Sequence, residues 1–312
     1  MRLAVIDCGT NTFNLIIVEL LDKKKYQKIY STRIAVKLGE GAINKGYITP
    51  AAFVRGVEAI ALFRQKFGEY CVDSALAFAT SAIRDASNGQ EFILEIQDKF
   101  DIEVTVIDGN REAELIYFGI REAVQLDDQV SLIMDIGGGS NEFILANKEK
   151  IFWKQSFNIG AARLIEQFKH SNPITEKEKN EIKTYLTLQL QPLVEASKKF
   201  NPVELVGSSG AFESIVEMIH GELGGEELTS RKTEYETDLV AHSKISKKIM
   251  ASTLDERRKI KGLTPIRFDM IVISCIMVDH ILNLLQLKKM RVSTYSLKEG
   301  ALAEYIQKLE IK

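Results

Sequence analysis

Leu132–Leu145 reads LIMDIGGGSNEFIL: an apolar run ending in Asp135, the glycines Gly137, Gly138 and Gly139, then Ser140, Asn141 and Glu142, and a second apolar run from Phe143. Apolar runs on both sides of a glycine cluster predict two strands joined by a tight turn. Glycine lets backbone approach a ligand closely, and successive N–H groups in such a turn form a concave nest for an anion. A carboxylate at the strand end cannot itself receive a phosphate. It can hold the metal that does, because hard divalent cations prefer oxygen ligands.

The pattern occurs twice. Ala4–Ile17 reads AVIDCGTNTFNLII, and at one constant offset Asp7 matches Asp135, Gly9 matches Gly137 and Thr12 matches Ser140. One such hairpin is a weak signal. Two predict related halves that each offer a phosphate-facing loop to a shared cleft; the alternative is two ordinary hairpins.

The 312 residues suit two domains of ordinary size. An apolar fraction of 45% and a charged fraction of 27% are those of a globular protein. A formal net charge of −2 supplies no global field to draw in nucleic acid, so a polyanion must be met by local basic groups. Cys8, Cys71 and Cys275 are scattered, without a CxxC pair, which argues against a disulfide framework or a zinc site and for a reducing, cytoplasmic setting. His170, His220, His242 and His280 show no metal-ligand spacing. The N-terminus has no signal-peptide pattern, and no apolar run approaches the ~18 residues of a membrane span.

Outward from the two hairpins, a charged turn is expected at Asp22–Lys25 and a strand over Tyr26–Leu38. Thr49-Pro50 reads as N-cap and first residue of a helix running to about Phe67. A strand over Ser74–Ala79, a helix within Ala86–Phe100, a strand at Glu103–Ile107 and a helix over Arg111–Val124 follow. Beyond the polar break Gln125–Gln129, Thr175 and Glu178 form a capping box for one long helix over Glu176–Phe200. Val203–Val206 is a strand leading into Gly207-Ser208-Ser209-Gly210, and Met270–Leu287 a buried helix. Strands alternating with helices imply an α/β chain with a mixed or parallel sheet.

These motifs resemble the actin/Hsp70/sugar-kinase architecture and, within it, the exopolyphosphatase and guanosine-pentaphosphate phosphohydrolase (Ppx/GppA) family. VIDCGTNTFNLIIVEL is similar to that family's first phosphate loop, FATSAIRDASNG to its arginine motif and DGNREAELIYFGI to its glutamate motif. DIGGGSNEFIL resembles the second phosphate loop, VGSSGAFES the third, and LTPIRFD and LKEGALAEYI the C-terminal signatures. The resemblance implies two actin-like (ribonuclease H-like) domains, each a mixed sheet flanked by helices, with a cleft between them. The expected bounds are 1–124 and 125–296, with a last helix over about 297–312 packing back on the first domain.

The same resemblance implies metal-assisted hydrolysis of a terminal phosphoanhydride. Glu112 is then expected to orient or deprotonate the attacking water, and Arg84 to stabilise charge on the transferred group; a plain helix-dipole role is the alternative for Glu112. Asp135 and Glu142 are the expected ligands of Mg2+ or Mn2+. Phosphate binding is expected from Asp7, Gly9, Thr10, Asn11 and Thr12, from Gly137, Gly138, Gly139 and Ser140, from Gly207, Ser208, Ser209 and Gly210, and from Arg267. Arg163, Lys169, Lys198 and Lys199 are weak candidates for lining a path for a long anion.

Four positions depart from the family pattern: Ser208 and Ser209, in a loop where more glycine and a threonine are expected, Ser274 where glycine is common, and Lys298 where arginine is usual. The expected substrate is inorganic polyphosphate, with guanosine penta- or tetraphosphate as the alternative. A sugar or carboxylate kinase or a non-catalytic nucleotide sensor are the readings from other classes, and monomer and homodimer both stay open.

Overall fold

A computed structural model describes residues 1–22, 25–229 and 231–310. The first sheet comprises β1 (Arg2–Cys8), β2 (Thr12–Asp22), β3 (Lys25–Ala35), β4 (Ser74–Ala79) and β5 (Val104–Val106), in the order β3-β2-β1-β4-β5. β1, β2 and β3 form an antiparallel meander, and β4 and β5 extend it in parallel. Helices α1 (Pro50–Glu69), α2 (Ser81–Arg84), α3 (Gly89–Phe100) and α4 (Gly109–Ala123) fill the connections.

The second sheet repeats this plan. It comprises β6 (Ser131–Ile136), β7 (Asn141–Ala146), β8 (Ile151–Phe157), β9 (Glu204–Ser208), β10 (Glu234–Thr237) and β11 (Met290–Ser293), in the order β10-β11-β9-β6-β7-β8. The meander is β6-β7-β8, and β9 and β11 follow in parallel. β10 is an added antiparallel edge. Its helices are α5 (Ala161–Phe168), α6 (Glu176–Gln189), α7 (Gln191–Phe200), α8 (Gly210–Leu223), α9 (Leu239–Met250), α10 (Leu254–Arg257), α11 (Ile271–Leu284) and α12 (Leu297–Glu310). The repeated order bears out the expected α/β chain, with each mixed sheet flanked by helices.

Local chemistry sets the helix starts. Thr49 accepts from the Ala52 amide at 3.3 Å ahead of Pro50, and the Thr175–Glu178 capping box is formed. The long helix expected over Glu176–Phe200 is two helices, because Pro192 has no N–H to continue the first and instead opens the second. The strand expected over Tyr26–Leu38 ends at Ala35, where the Val36 and Lys37 amides turn to the Asn11 carbonyl. Of the turn expected at Asp22–Lys25, residues 23 and 24 lie outside the described residues.

Both faces of the central strands are buried, which is why they read as continuous apolar runs. One face of the first sheet packs Ile6, Phe13 and Leu15 against Phe63 and Phe92. One face of the second packs Met134 and Phe143 against α5, α6 and α11. The remaining faces look at each other across α4 and α12, through a shared core of Leu3, Val5, Ile16, Ile133, Ile144 and Val206 with Leu115, Ile120 and Leu302. α4 and α12 cross backbone to backbone. A Cβ on Gly300 would stand 1.7 Å from the Leu115 carbonyl oxygen, and one on Gly119 2.2 Å from that of Ser296.

Gly300→Ala is therefore expected to destabilise the protein by roughly 1–3 kcal/mol or more through overpacking. Gly68→Ala, at a helical position with nothing within 4 Å of the added Cβ, should instead stabilise it by about 0.5–1 kcal/mol. Urea unfolding of both variants checks the contrast, and equal effects would contradict it.

Candidate active site

The two hairpin turns are built alike. Gly9 N donates to Thr12 O at 3.1 Å, and Gly137 N to Ser140 O at 3.0 Å. Their carbonyls are tied outward. Asn11 O accepts from Val36 and Lys37 and Thr10 O from Gly39, while Gly138 O accepts from Ala162 and Arg163 and Gly139 O from Gly160. The amides of Thr10, Asn11, Gly138 and Gly139 have no acceptor among the described residues. Each turn is thus a nest of free N–H groups.

The turns meet across the cleft. A Cβ on Gly138 would lie 3.0 Å from Thr10 Cβ, and one on Gly139 would lie 2.4 Å from Ser81 Oγ and 2.7 Å from Thr10 Oγ1. The glycines of this stretch are needed because the other half of the molecule sits against them. Arg163 clasps the same edge: its guanidinium donates to Gly139 O at 3.0 Å, Asp85 at 3.1 Å and Ile43 O at 3.2 Å. These bonds take it away from the anion path suggested for it.

A cavity of about 120 Å3 remains between the turns. Of the expected residues, Asp7, Gly9, Thr10, Asn11, Thr12, Glu112, Asp135, Gly137, Gly138, Gly139, Ser140, Ser209, Gly210 and Arg267 line it. Gly207 and Ser208 do not, which corrects the expectation for them. Gly207 faces the Phe212 ring, 2.1 Å from where its Cβ would be. Ser208 pairs with Asp135 across β9 and β6 and gives its hydroxyl to that carboxylate. Ser209 replaces the expected glycine in a backbone that wants one, at φ 76° and ψ 169°, a strained conformation costing about 1–3 kcal/mol.

Arg84 and Glu142 stand just behind the cavity wall. Arg84 Nη1 donates to Glu112 Oε2 at 3.2 Å and to Ile107 O at 3.0 Å, so here it holds Glu112 rather than facing the cleft. Glu112 sits in the first turn of α4, placed by the Asp108 cap, which accepts from Arg111 N at 2.7 Å. Glu142 is the cross-strand partner of Asp135 and accepts from Ser156 Oγ at 2.6 Å. Asp7 accepts from Asn14 Nδ2 at 3.0 Å, and Asp135 from Ser296 Oγ at 2.6 Å.

These four buried carboxylates all titrate high. Burial pushes Asp7 up to about 6, against Lys298 and Asn14. Burial pushes Glu142 up to about 7, helped by the Asp135 charge. Burial and the neighbouring Glu142 drive Glu112 well above the ordinary carboxylate range, against Arg84. Burial also raises Asp135, despite its two serine donors. Such a cluster favours a cation. Among the described residues no three His, Cys, Asp or Glu side chains converge as a metal cage.

The opposite wall is cationic and has unused donors. Burial and the like charge of Arg33 pull the Arg267 pKa down. Its Nε has no partner among the described residues, nor has Asn11 Nδ2. Unpaired buried donors are costly, and an anion in the cleft would satisfy both. Burial works against the Lys298 ammonium, but Glu299 at 3.1 Å and Glu213 hold its pKa above the ordinary lysine value.

Asn14, Arg33, Ser296 and Lys298 line the cleft beyond the motif-based set. Asn14 sits where the other hairpin has Glu142, and Ser296-x-x-Glu299 has capping-box spacing, with Ser296 N donating to Glu299 at 3.0 Å. Lys298 falls inside a C-terminal signature. Arg33, on an otherwise ordinary strand, carries no local signal.

The model of the Ppx/GppA phosphatase family matches residues 16–309. A crystal structure of an exopolyphosphatase from Cytophaga hutchinsonii superposes with a TM-score of 0.96 at 40% identity, over 99% of this chain and 98% of that one. The Aquifex aeolicus member of the Ppx/GppA family shares the fold, with a TM-score of 0.81 at 22% identity over 99% of this chain and 98% of that one. A bifunctional 3-dehydroquinate synthase/phosphatase of Fusobacterium nucleatum is 29% identical over 297 residues, 90% of this chain; the chain spans 43% of that protein's length.

Raised carboxylate pKa values mean that the metal-free folded protein binds more protons than the unfolded chain. That contribution to stability is full below about pH 4 and is lost as pH rises through about 6 for Asp7 and about 7 for Glu142. Asp7→Asn and Glu142→Gln should each remove about 3 kcal/mol of the fall in stability between about pH 4 and pH 8. Denaturant unfolding in chelator measures this, and an Asp7→Asn protein that loses stability as steeply as wild type would refute it.

Proposed function

The chain belongs to the Ppx/GppA phosphatase family, and on that premise we propose that it hydrolyses the terminal phosphoanhydride of inorganic polyphosphate and releases orthophosphate. One observation carries the reading: two opposed nests of free amides share a cleft with two buried donors, Arg267 Nε and Asn11 Nδ2, that lack an acceptor. A tetrahedral dianion satisfies such a set. The 40%-identical exopolyphosphatase structure supports polyphosphate as its source.

In this reading the terminal phosphate rests between the turns, with Arg267 and Lys298 countering its charge. Glu112 accepts a proton from the attacking water as the new P–O bond forms. The bridging P–O bond breaks, and its electron pair leaves with the shortened chain. Arg84 is a positioning residue: it keeps Glu112 aimed and lowers the cost of its buried charge. Ser208 and Ser296 orient Asp135, and Ser156 orients Glu142. Asp135 and Glu142 would hold Mg2+ or Mn2+, which when bound neutralises charge shared by these carboxylates and the phosphate.

A guanosine-pentaphosphate 5′-phosphohydrolase is the second reading. A polar pocket of about 700 Å3 adjoins the cleft, walled in part by Tyr26 and Tyr295, and has the volume for a nucleoside. Phosphate-release rates on polyphosphate and on guanosine pentaphosphate separate the two readings.

Glu112→Gln should lower kcat by about 10²–10⁴-fold with little change in polyphosphate binding; unchanged turnover would remove Glu112 from the base role. Chelator should abolish turnover, and Mg2+ or Mn2+ restore it. Because Arg84 lowers the Glu112 pKa, Arg84→Gln should move the ascending limb of the pH–rate profile to higher pH. A limb that stays in place or moves down would show that Arg84 does not act through Glu112.

A further inference from the structure

Where the cleft opens into the larger polar pocket, Arg33 of β3 and Glu213 of α8 close it from opposite lobes, Nη2 to Oε2 at 3.0 Å. Both residues line the cleft and the outer pocket, as do Asn14, Thr294 and Lys298. The two edges of the cleft differ. On the Arg163 side a largely buried guanidinium donates across the lobes to Ile43 O and Asp85. On the other side stands this ion pair, whose Arg33 side chain is 51% exposed.

Glu213 is an odd residue for an anion site. Its carboxylate faces Arg33 directly, and its charge also acts on Arg267 and Lys298. A place in the first turn of α8 suits the helix dipole, but that alone needs none of the three cations. The cavity between the turns is small, so a chain of several phosphates whose end lies there must extend beyond it. The pocket on the Arg33–Glu213 side holds Lys28 and Lys232, which suit such an anion, whereas the pocket adjoining at Thr10 and Asn11 holds Glu40, Glu166 and Asp269 beside Lys37.

We propose that Glu213 is an anionic placeholder: in the substrate-free protein its carboxylate pairs with Arg33 beside Arg267 and Lys298, and a phosphate of the substrate's tail displaces it and opens the Arg33 latch. Glu213 thereby sets specificity. It penalises anions too short to reach the latch and yields to chains long enough to supply the replacing charge. The inference rests on the phosphate-site reading above.

The test compares wild type with Glu213→Gln. Calorimetric titration with a non-hydrolysable imidotriphosphate should show binding about tenfold tighter in the variant, and KM for polyphosphate should fall by a similar factor. The gain should be larger for imidodiphosphate than for long chains, because the penalty on short anions is lifted. Affinity that is unchanged or weaker in Glu213→Gln overturns the proposal. If Glu213→Gln fails to fold, Glu213→Asp, which withdraws the carboxylate by one methylene, must tighten binding in the same direction or the proposal falls. A wild-type protein that neither binds nor cleaves any of these anions would refute the phosphate site itself, a result distinct from failure of the placeholder.

Discussion

The close crossing of α4 and α12 is the constraint on which the molecule depends. Two helices whose backbones touch at Gly119 and Gly300 form a thin layer that both sheets share. A thicker layer would separate the sheets, and with them the turns that end β1 and β6. Glycine at the crossing thus reaches the site: it sets how near Thr10 comes to Gly138, and how little space remains between the nests. The same two helices carry Glu112 and Lys298, so the proposed base and one of the cleft's cations move with the layer that joins the lobes.

The site is a set of unfavourable terms held in place by that scaffold. Burial raises the pKa of four carboxylates, with neighbouring carboxylates adding to the rise in Asp7, Glu112 and Glu142, a serine takes a backbone conformation suited to glycine, and two buried donors lack an acceptor among the described residues. Each costs folding free energy; a cation would relieve the carboxylates and an anion the donors. The metal phosphate proposed for the cleft would supply both at once.

The duplicated halves have diverged where chemistry requires it. Both turns close with the same Gly-to-hydroxyl-residue hydrogen bond, yet one carries Thr10 and Asn11 where the other carries Gly138 and Gly139. Side chains on one turn demand none on the facing turn, because the two are in contact. Similarly Asp7 has Asn14 across its strand pair while Asp135 has Glu142. The second hairpin thus sets two carboxylates side by side where the first pairs a carboxylate with an amide.

The sequence by itself determined what depends on neighbours along the chain: both glycine hairpins, the caps at Thr49 and Thr175, and the alternation of strands and helices. Those follow from apolar periodicity, glycine's φ freedom and short-range capping bonds, whereas most of the cleft lining was legible only through the resemblance of its motifs to the Ppx/GppA family. The one long helix expected over Glu176–Phe200 failed to that same local logic, since Pro192 was present to be read. Only the tertiary structure decided where side chains point. It turned Gly207 to Phe212, Ser208 and Ser296 to Asp135, and Arg84 to Glu112, and it brought Arg33 to Glu213. Those partners lie far apart in sequence except where Phe212 follows Gly207, and their meeting is set by the β6–β9 register and the α4–α12 crossing, which no local pattern encodes.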